Sequence, residues 1–579
     1  MNPSGAGSRD QHFVDAVTRA ADLECDRLYA QLGTLDAPGL HALGPRRVMA
    51  SAKALAAVAL WGGSRHRGSA AVLGAVGRLV STARGLLGPS GLFSGDGNVE
   101  SPPDSAFTVV DLCDLYELLN GDSTGAASGV APELEALAHA VRPALLAGGV
   151  HTANHRWQLS AALAALHRSW PHPSLAERVE AWLAEGVDVH GDGTYSERSP
   201  NYAAHVSNPS LILIADVLGR PELLDVVERN LESTLAMVLP DGTVETVQSR
   251  RQDQGTSFAL ADYLLQLRRM AIGTGRGDFS WAADLALQGP VRDAGRTLAA
   301  VIARPALAAV LPAPVAPPLP RLEHLADAGL VAHVTGRVHV VAYGGSDYAR
   351  FRRARSGLAH NPTFLRMFAG QVVLGSVRLS RDFFGLGPFR AGSACLEGDR
   401  YVMEEAVSGA YYQPLAPGSR RADGQYRLED EGRFVSAMSF SDRAADVLGL
   451  RTRVQVRLAE DGAEVTLRTE GPPSAWALEL AFRPGGELEV VEDADGPGEL
   501  RPTGPGQWEL VRGTAAYRVG PDVVRFGPGN GTGPDRPPAY WPGEDYTYLG
   551  ATDAAEGERV YITGRAPGTA VLLLQRVGA

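Results

Sequence analysis

The apolar periodicity of this chain changes once, and that change constrains the fold more than any single motif. Up to about residue 305, apolar side chains recur at helical spacing in segments of roughly 12 to 20 residues, punctuated by Gly, Pro, Asp and Ser. About ten to twelve helices are expected there. They include Val14 to Leu32, Pro45 to Trp61, Phe107 to Leu119, His155 to Ser169, Pro200 to Leu218 and Thr256 to Met270. Short connections make successive helices antiparallel hairpins. The stretch PALAAVLPAPVAPPLPRL then places six prolines where no helix can continue. Beyond it, runs such as VHVVAYG, QVVLGSVRLS, RTRVQVRLA, AEVTLRTE, ALELAFRP and TAVLLLQRV have strand composition, several alternating in polarity as one-sided antiparallel sheets do.

The expected fold is an α+β multidomain chain. Residues 1–305 form an (α/α) toroid of helical hairpins, 306–322 a Pro-rich linker, and 323–579 an antiparallel β-sandwich contributing to the active site. A length of 579 residues supports this division, because one hydrophobic core rarely serves so long a chain.

Composition excludes several classes of partner. A formal charge of −12 argues against nucleic acid and anionic membrane, which require a net basic surface. No uncharged apolar run reaches the ~18 residues of a membrane span. Cys25, Cys113 and Cys395 are too few and too scattered for a disulfide framework or a cysteine metal site, and they read as buried thiols. The first residues, MNPSGAGSRDQHF, lack a basic n-region and an apolar h-region, so cytoplasmic residence is expected. No motif encodes the oligomeric state, and a dimer is compatible with the sequence.

Three polar segments interrupt this regular texture. In GVHTANHRWQLSAALAAL, Asn154 and His155 open a helix with Leu159, Leu163 and Leu166 on its apolar face. On one reading Asn154 caps the helix and His155 is a first-turn surface residue. On the other, the helix start aims its N–H groups and positive dipole end at an anion, with Asn154 donating to a carboxylate. In DVHGDGTYSERSPNYAAHVSNP, Ser199 followed by Pro200 marks a helix start. Tyr202 then falls in the first turn and His205 one turn on, among Asp192, Glu197, Arg198, Asn201 and Asn208. In DYARFRRARSGLAHNPTFLRMF, Arg352, Arg353 and Arg355 precede His360, either as a solvated face or as a basic patch for an anionic sugar. A fourth segment, SGDGNVESPPDSAF, brings Asn98, Glu100 and Asp104 ahead of a helix, as a capped loop or as a cleft lining.

These residue types suit proton abstraction at C5 of a uronic acid. The adjacent carboxylate must accept further charge in the transition state, and Asn, Arg or protonated His can stabilise it. A base takes the C5 proton and an acid protonates the departing O4. Tyrosine, with an unperturbed pKa near ~10, is a natural donor, and becomes a base when nearby cations lower that value.

NHRWQLSAALAAL, DGTYSERSPNYAAH and the histidine of SGLAHNPTFLRMF resemble the heparinase II/III-like superfamily of polysaccharide lyases, which includes oligoalginate lyases. The resemblance implies an (α/α) toroid followed by an antiparallel β-sandwich, and lyase chemistry on an anionic poly- or oligosaccharide without a cofactor. It makes Asn154 the holder of the uronate carboxylate, His155 the adjacent active-site histidine, Tyr202 the catalytic tyrosine and His360 the histidine from the sheet domain. Tyr202 is then the acid toward O4, with His155 or Tyr202 itself as base according to the face that carries the C5 hydrogen. Glu197, Arg198, His205, Arg353, Arg355, Asn98 and Asp104 are candidate substrate contacts, and Tyr411 or Tyr412 of SGAYYQPL a further sugar contact. Some relatives bind a metal through sheet-domain histidines; His360 is the last histidine here, so no histidine-based zinc site is expected. Two alternatives stand beside this reading. One is a glycoside hydrolase using a carboxylate pair from Asp104, Asp192 and Glu197, and the other is a non-catalytic sugar-binding protein.

Overall fold

Asp10, Ser69, Ser101 and Ser199 each accept the backbone N–H three residues on, from Phe13, Val72, Asp104 and Tyr202. These N-caps satisfy donors that a helix start otherwise leaves orphaned. They divide the first half of the chain into the hairpins expected from its periodicity. The computed structural model describes residues 9–95, 97–121, 129–351, 360–493, 496–531, 540 and 556–578. It separates into two compact units, Met1–Val244 with Ser257–Pro317, and Glu245–Thr256 with Pro318–Ala579.

The first unit is helical from Gln11–Gly33 to Ala294–Ala303, and these two end helices pack on each other. Arg268 joins the terminal segments. It is almost fully buried, donates to the carbonyls of Leu307 and Ala309, pairs with Asp10 at 2.8 Å and stacks on Phe13. Removing one side of such a buried pair costs about 3–5 kcal/mol, so the contact fixes where the hairpin series ends. The proline-rich stretch belongs to the same surface, with the Val315 N–H bonded to the Gly277 carbonyl.

Two expected helices differ. Pro200–Leu218 is not uniform: Pro200–Tyr202 is α-helical, Ala203–Ser207 forms a π-helix, and Asn208–Leu218 returns to the α form. Pro209 has no N–H to offer the carbonyl four residues back, so the α ladder cannot run through this point. Instead the Asn208 N–H reaches Ala203, and the Gln266 side chain donates to the Ala204 carbonyl at 2.6 Å. Thr256–Met270 also begins differently, with Phe258–Ala259 pairing Thr243–Val244 as a short antiparallel ladder before a 3-10 turn and the Leu264–Thr274 helix. That ladder holds together the ends of a strap, Glu245–Thr256, which belongs to the second unit. Periodicity gave no sign of it. A short Ala37–Ala42 helix was likewise not expected.

Among the described residues the second unit is built on one 15-stranded sheet. Its longest strand, Gly462–Phe482, pairs antiparallel with Ala445–Ala459, Val372–Arg381 and Glu558–Val577. AEVTLRTE and ALELAFRP are therefore one strand, joined through an irregularity between Thr469 and Ser474 where Pro472 and Pro473 need not donate to the ladder. The sheet folds back on itself, with Phe482 stacked on Tyr517 and touching Phe526, so two layers share one apolar core of Val, Leu, Ile and Phe side chains. The strap is seated in this unit. Glu245 is buried, accepts the N–H groups of Thr246 and Val247, and pairs with Arg366. Arg250 forks onto Asp347 at 2.5 and 2.9 Å. Cys25 and Cys113 are buried as expected, whereas Cys395 is exposed on the Ser393–Glu397 strand, because side chains of that strand face water.

Candidate active site

Helix starts organise the candidate site in the first unit. Gly44–Leu60, Pro102–Asn120 and Ala153–Ser169 begin close together, so their first-turn side chains meet. Asp104 is 1% exposed, with one carboxylate oxygen on Arg46 at 2.5 Å and the other on Asn98 at 3.0 Å. Arg46 stacks over the Phe107 ring, Phe107 meets His155 edge-on, and His155 meets His151 edge-on at 4.8 Å. The series Asn98, Asp104, Arg46, Phe107, His155, His151 is thus one continuous cluster.

Asn154 and His155 depart from the capping alternative. Thr152 holds the N-cap position of their helix without a side-chain cap bond, and Asn154 lies inside the first turn. Both residues are buried, at 2% and 8% exposure. The Asn154 amide donates to Glu197 at 2.6 Å, and its oxygen accepts the Thr152 hydroxyl at 3.1 Å. Glu197 therefore sets the orientation of Asn154. The helix's own first N–H groups remain the anion-facing end of its dipole.

Glu197 comes from a tightly built loop. Gly193 sits at φ +83°, where a Cβ would lie 2.4 Å from the Arg229 carbonyl oxygen, so only glycine fits. Tyr195 is buried and donates to Asn208 at 2.7 Å; burial pushes its phenol well above the usual tyrosine range. Asn208 in turn donates to both Asn230 and Gln266 at 3.0 Å. Arg198 occupies the left-handed region at φ +50°, an unusual conformation for a side chain of its size. Ser199 then caps the turn carrying Tyr202, and the Tyr263 hydroxyl donates to the Pro200 carbonyl. Tyr202 is half-buried at the head of the π-helix.

Not every expected residue joins this group. His205 lines a separate cavity of the first unit, keeps 42% of its side chain accessible, and lies 3.9 Å from Asp262. Surrounding protein lowers its pKa by desolvation, with Asp262 opposing. The carboxylates proposed for a hydrolase are engaged: Asp104 by Arg46 and Asn98, Glu197 by Asn154, and Asp192 by the Thr194 N–H and hydroxyl. Sequence reasoning missed Arg46, Phe107 and His151. Arg46 and Phe107 carry no motif, while His151 stands in the same polar segment as Asn154 and was the detectable one.

In the second unit His360 is 2% exposed; its carbonyl accepts Arg390 at 2.6 Å and its ring meets Tyr348 edge-on. Arg390 stacks over the same Tyr348 ring, next to the Arg250–Asp347 fork. Arg352, Arg353 and Arg355 lie outside the described residues. Tyr411 and Tyr412 end the Arg400–Tyr412 strand, Tyr411 against Phe384 and Tyr412 bonded to Glu431 and packed on Phe440. Among the described contacts none joins these tyrosines to His360.

No family model and no curated protein matches the sequence. Solved structures do. Heparinase III aligns over 88% of this chain and 74% of its own, with a TM-score of 0.52 at 10% identity. The Streptomyces coelicolor A3 chondroitin AC lyase, solved in complex with chondroitin sulphate, aligns over 100% of this chain and 81% of its own, with a TM-score of 0.52 at 13% identity. Paenibacillus xanthan lyase aligns over 98% of this chain and 57% of its own, with a TM-score of 0.54 at 10% identity. At such identities the likeness is one of fold. The chain has the polysaccharide-lyase fold, a series of helical hairpins followed by an antiparallel β-sheet sandwich.

Proposed function

We propose that the protein is a polysaccharide lyase that cleaves a uronic-acid-containing glycan by β-elimination. The observation that carries this reading is the joint placement of Asn154 and His155 at a buried helix start, with Glu197 holding the Asn154 amide. A carboxamide fixed in this way, beside the N–H groups of a helix start, is preorganised for a carboxylate that gains charge as the C5 proton leaves. Asn154 has a second N–H for that carboxylate after the first is given to Glu197. Tyr202, in the first turn after the Ser199 cap, is the acid toward O4, and His155 or Tyr202 takes the C5 proton according to the sugar's stereochemistry. Arg198 assists substrate binding, and His360 is proposed to take part in the reaction. The fold shared with lyases of anionic glycans supports an acidic poly- or oligosaccharide as substrate.

The test is a panel of uronic-acid oligosaccharides incubated with the wild-type protein, Tyr202→Phe and His360→Ala. Absorbance from a conjugated unsaturated uronate is expected with wild type, and a rate about 10²–10⁴-fold lower with Tyr202→Phe. Products that gain the mass of water without new absorbance would instead identify a hydrolase.

A further inference from the structure

A cavity of about 910 Å³ lies within the first unit, at the upper end of the size range of small-molecule sites. Asn154, His155, Glu197 and Tyr202 are not among its lining, so it is distinct from the site above. Among the described residues seven cationic side chains line it with four carboxylates, Asp114, Glu117, Asp262 and Asp293, and Asp111 and Asp216 pair with lining cations from outside the lining. The ion pairs are shared rather than one to one. Asp114 takes both Lys53 and Arg168 at 3.0 Å, Asp111 takes Lys53 at 2.5 Å and Arg296 at 3.0 Å, and Asp216 takes Arg269 at 2.5 Å and Arg304 at 2.7 Å. Five cations thus rest on three carboxylates. Arg292 adds a sixth, 3.5 Å from Asp262, while Glu117 accepts the Ser169 hydroxyl.

Each guanidinium carries five N–H donors, and one or two ion-pair contacts leave most of them uncommitted. Burial lowers the Arg304 pKa, neighbouring Arg269 adds to that shift, and Asp216 and Asp114 oppose it. We infer that this cavity binds a compact polyanion, a small molecule presenting two or more carboxylate or phosphate oxygens to Arg269, Arg296 and Arg304. An anion bridging these guanidiniums would accept N–H donors that the ion pairs leave over, with the short charge-assisted bonds that Arg forms to oxyanions. A volume of about 910 Å³ suits a small ligand.

Isothermal titration of the full chain at low ionic strength, with inorganic phosphate and with citrate as separate probes, tests this without reference to lyase activity. Saturable binding of at least one probe is expected, weakening as salt is added. Preference between the probes distinguishes phosphate from carboxylate chemistry. Arg304→Gln is expected to weaken binding about tenfold. Arg292→Gln, at an exposed position of the rim, gives a second reading in a variant that retains the fold. Absence of saturable heat with both probes, or wild-type affinity in both variants, overturns the proposal.

Discussion

Arg198 shows how one residue can be costly to the fold yet kept at a site. An L-residue in the left-handed region is strained by about 1–2 kcal/mol, and glycine releases that strain at an unfolded-state cost of about 0.5–1 kcal/mol. Arg198→Gly is therefore expected to leave stability unchanged or raise it by up to about 1 kcal/mol in urea denaturation. Its kcat/KM on the proposed uronate substrate should fall, because the side chain next to Glu197 is lost. A variant that is both less stable and fully active would place the residue's role in folding instead. The neighbouring residues were only partly legible in the sequence. Asn154, His155 and Glu197 were found because polar residues crowd two helix starts, and the structure brings them together. Arg46 and Phe107 join the same cluster from helices whose sequences look ordinary, since contacts between residues 48 to 61 positions apart leave no local pattern.

Among elements, the π-helix after Tyr202 is the most informative. Such bulges are rare and often mark functional sites, because they redirect the side chains before them. Here a buried amide network holds the bulge: Gln266 donates to the Ala204 carbonyl and accepts from Asn208. Gln266→Leu takes a donor from the Ala204 carbonyl and one acceptor from Asn208, which keeps its bonds to Asn230 and Tyr195, at a cost of about 1–3 kcal/mol. A lower urea midpoint is expected, together with a fall in kcat that exceeds any change in KM, since Tyr202 shifts while the Asn154 pocket persists. Loss of stability with unchanged kcat would show that the bulge does not position the tyrosine. The element pattern itself was readable where periodicity is strong, as in Val14–Leu32 within Gln11–Gly33 and His155–Ser169 within Ala153–Ser169. It failed where the backbone leaves the regular ladder. A proline pair inside a strand reads as a break, although an irregular pairing accommodates it. The Arg400–Tyr412, Gln507–Val519 and Asp522–Asn530 strands escaped notice, being mixed in polarity and rich in Gly and charge.

At the scale of the molecule, the two compact units are not two consecutive stretches of sequence. The strap Glu245–Thr256 contributes Glu245 to Arg366 and Arg250 to Asp347 within the second unit. Losing one side of a buried pair costs about 3–5 kcal/mol, and two such losses rival the ~5–15 kcal/mol that stabilises a typical domain. A fragment spanning 318–579 is therefore expected to lack a cooperative thermal transition by near-ultraviolet circular dichroism. The same fragment with residues 245–256 fused ahead of Pro318 should regain it. An equally cooperative transition without the strap would show that its ion pairs are dispensable. The division into a helical and a sheet half was legible from periodicity and the prolines near residue 305; the strap was not, because 12 residues that are polar apart from Val247 and Gly255 look like any connecting loop.

The strap also sets an order of events during synthesis. Its partners lie 97 residues further on for Arg250 and 121 for Glu245. At ~5–20 residues per second, the ribosome delivers Arg366 roughly 6–24 s after Glu245. Until then the strap's buried-to-be charges stay in water, with its ends joined by the Thr243–Val244 and Phe258–Ala259 ladder of the helical unit. The nascent helical unit thus carries, for seconds, a solvated loop committed to a sheet that does not yet exist.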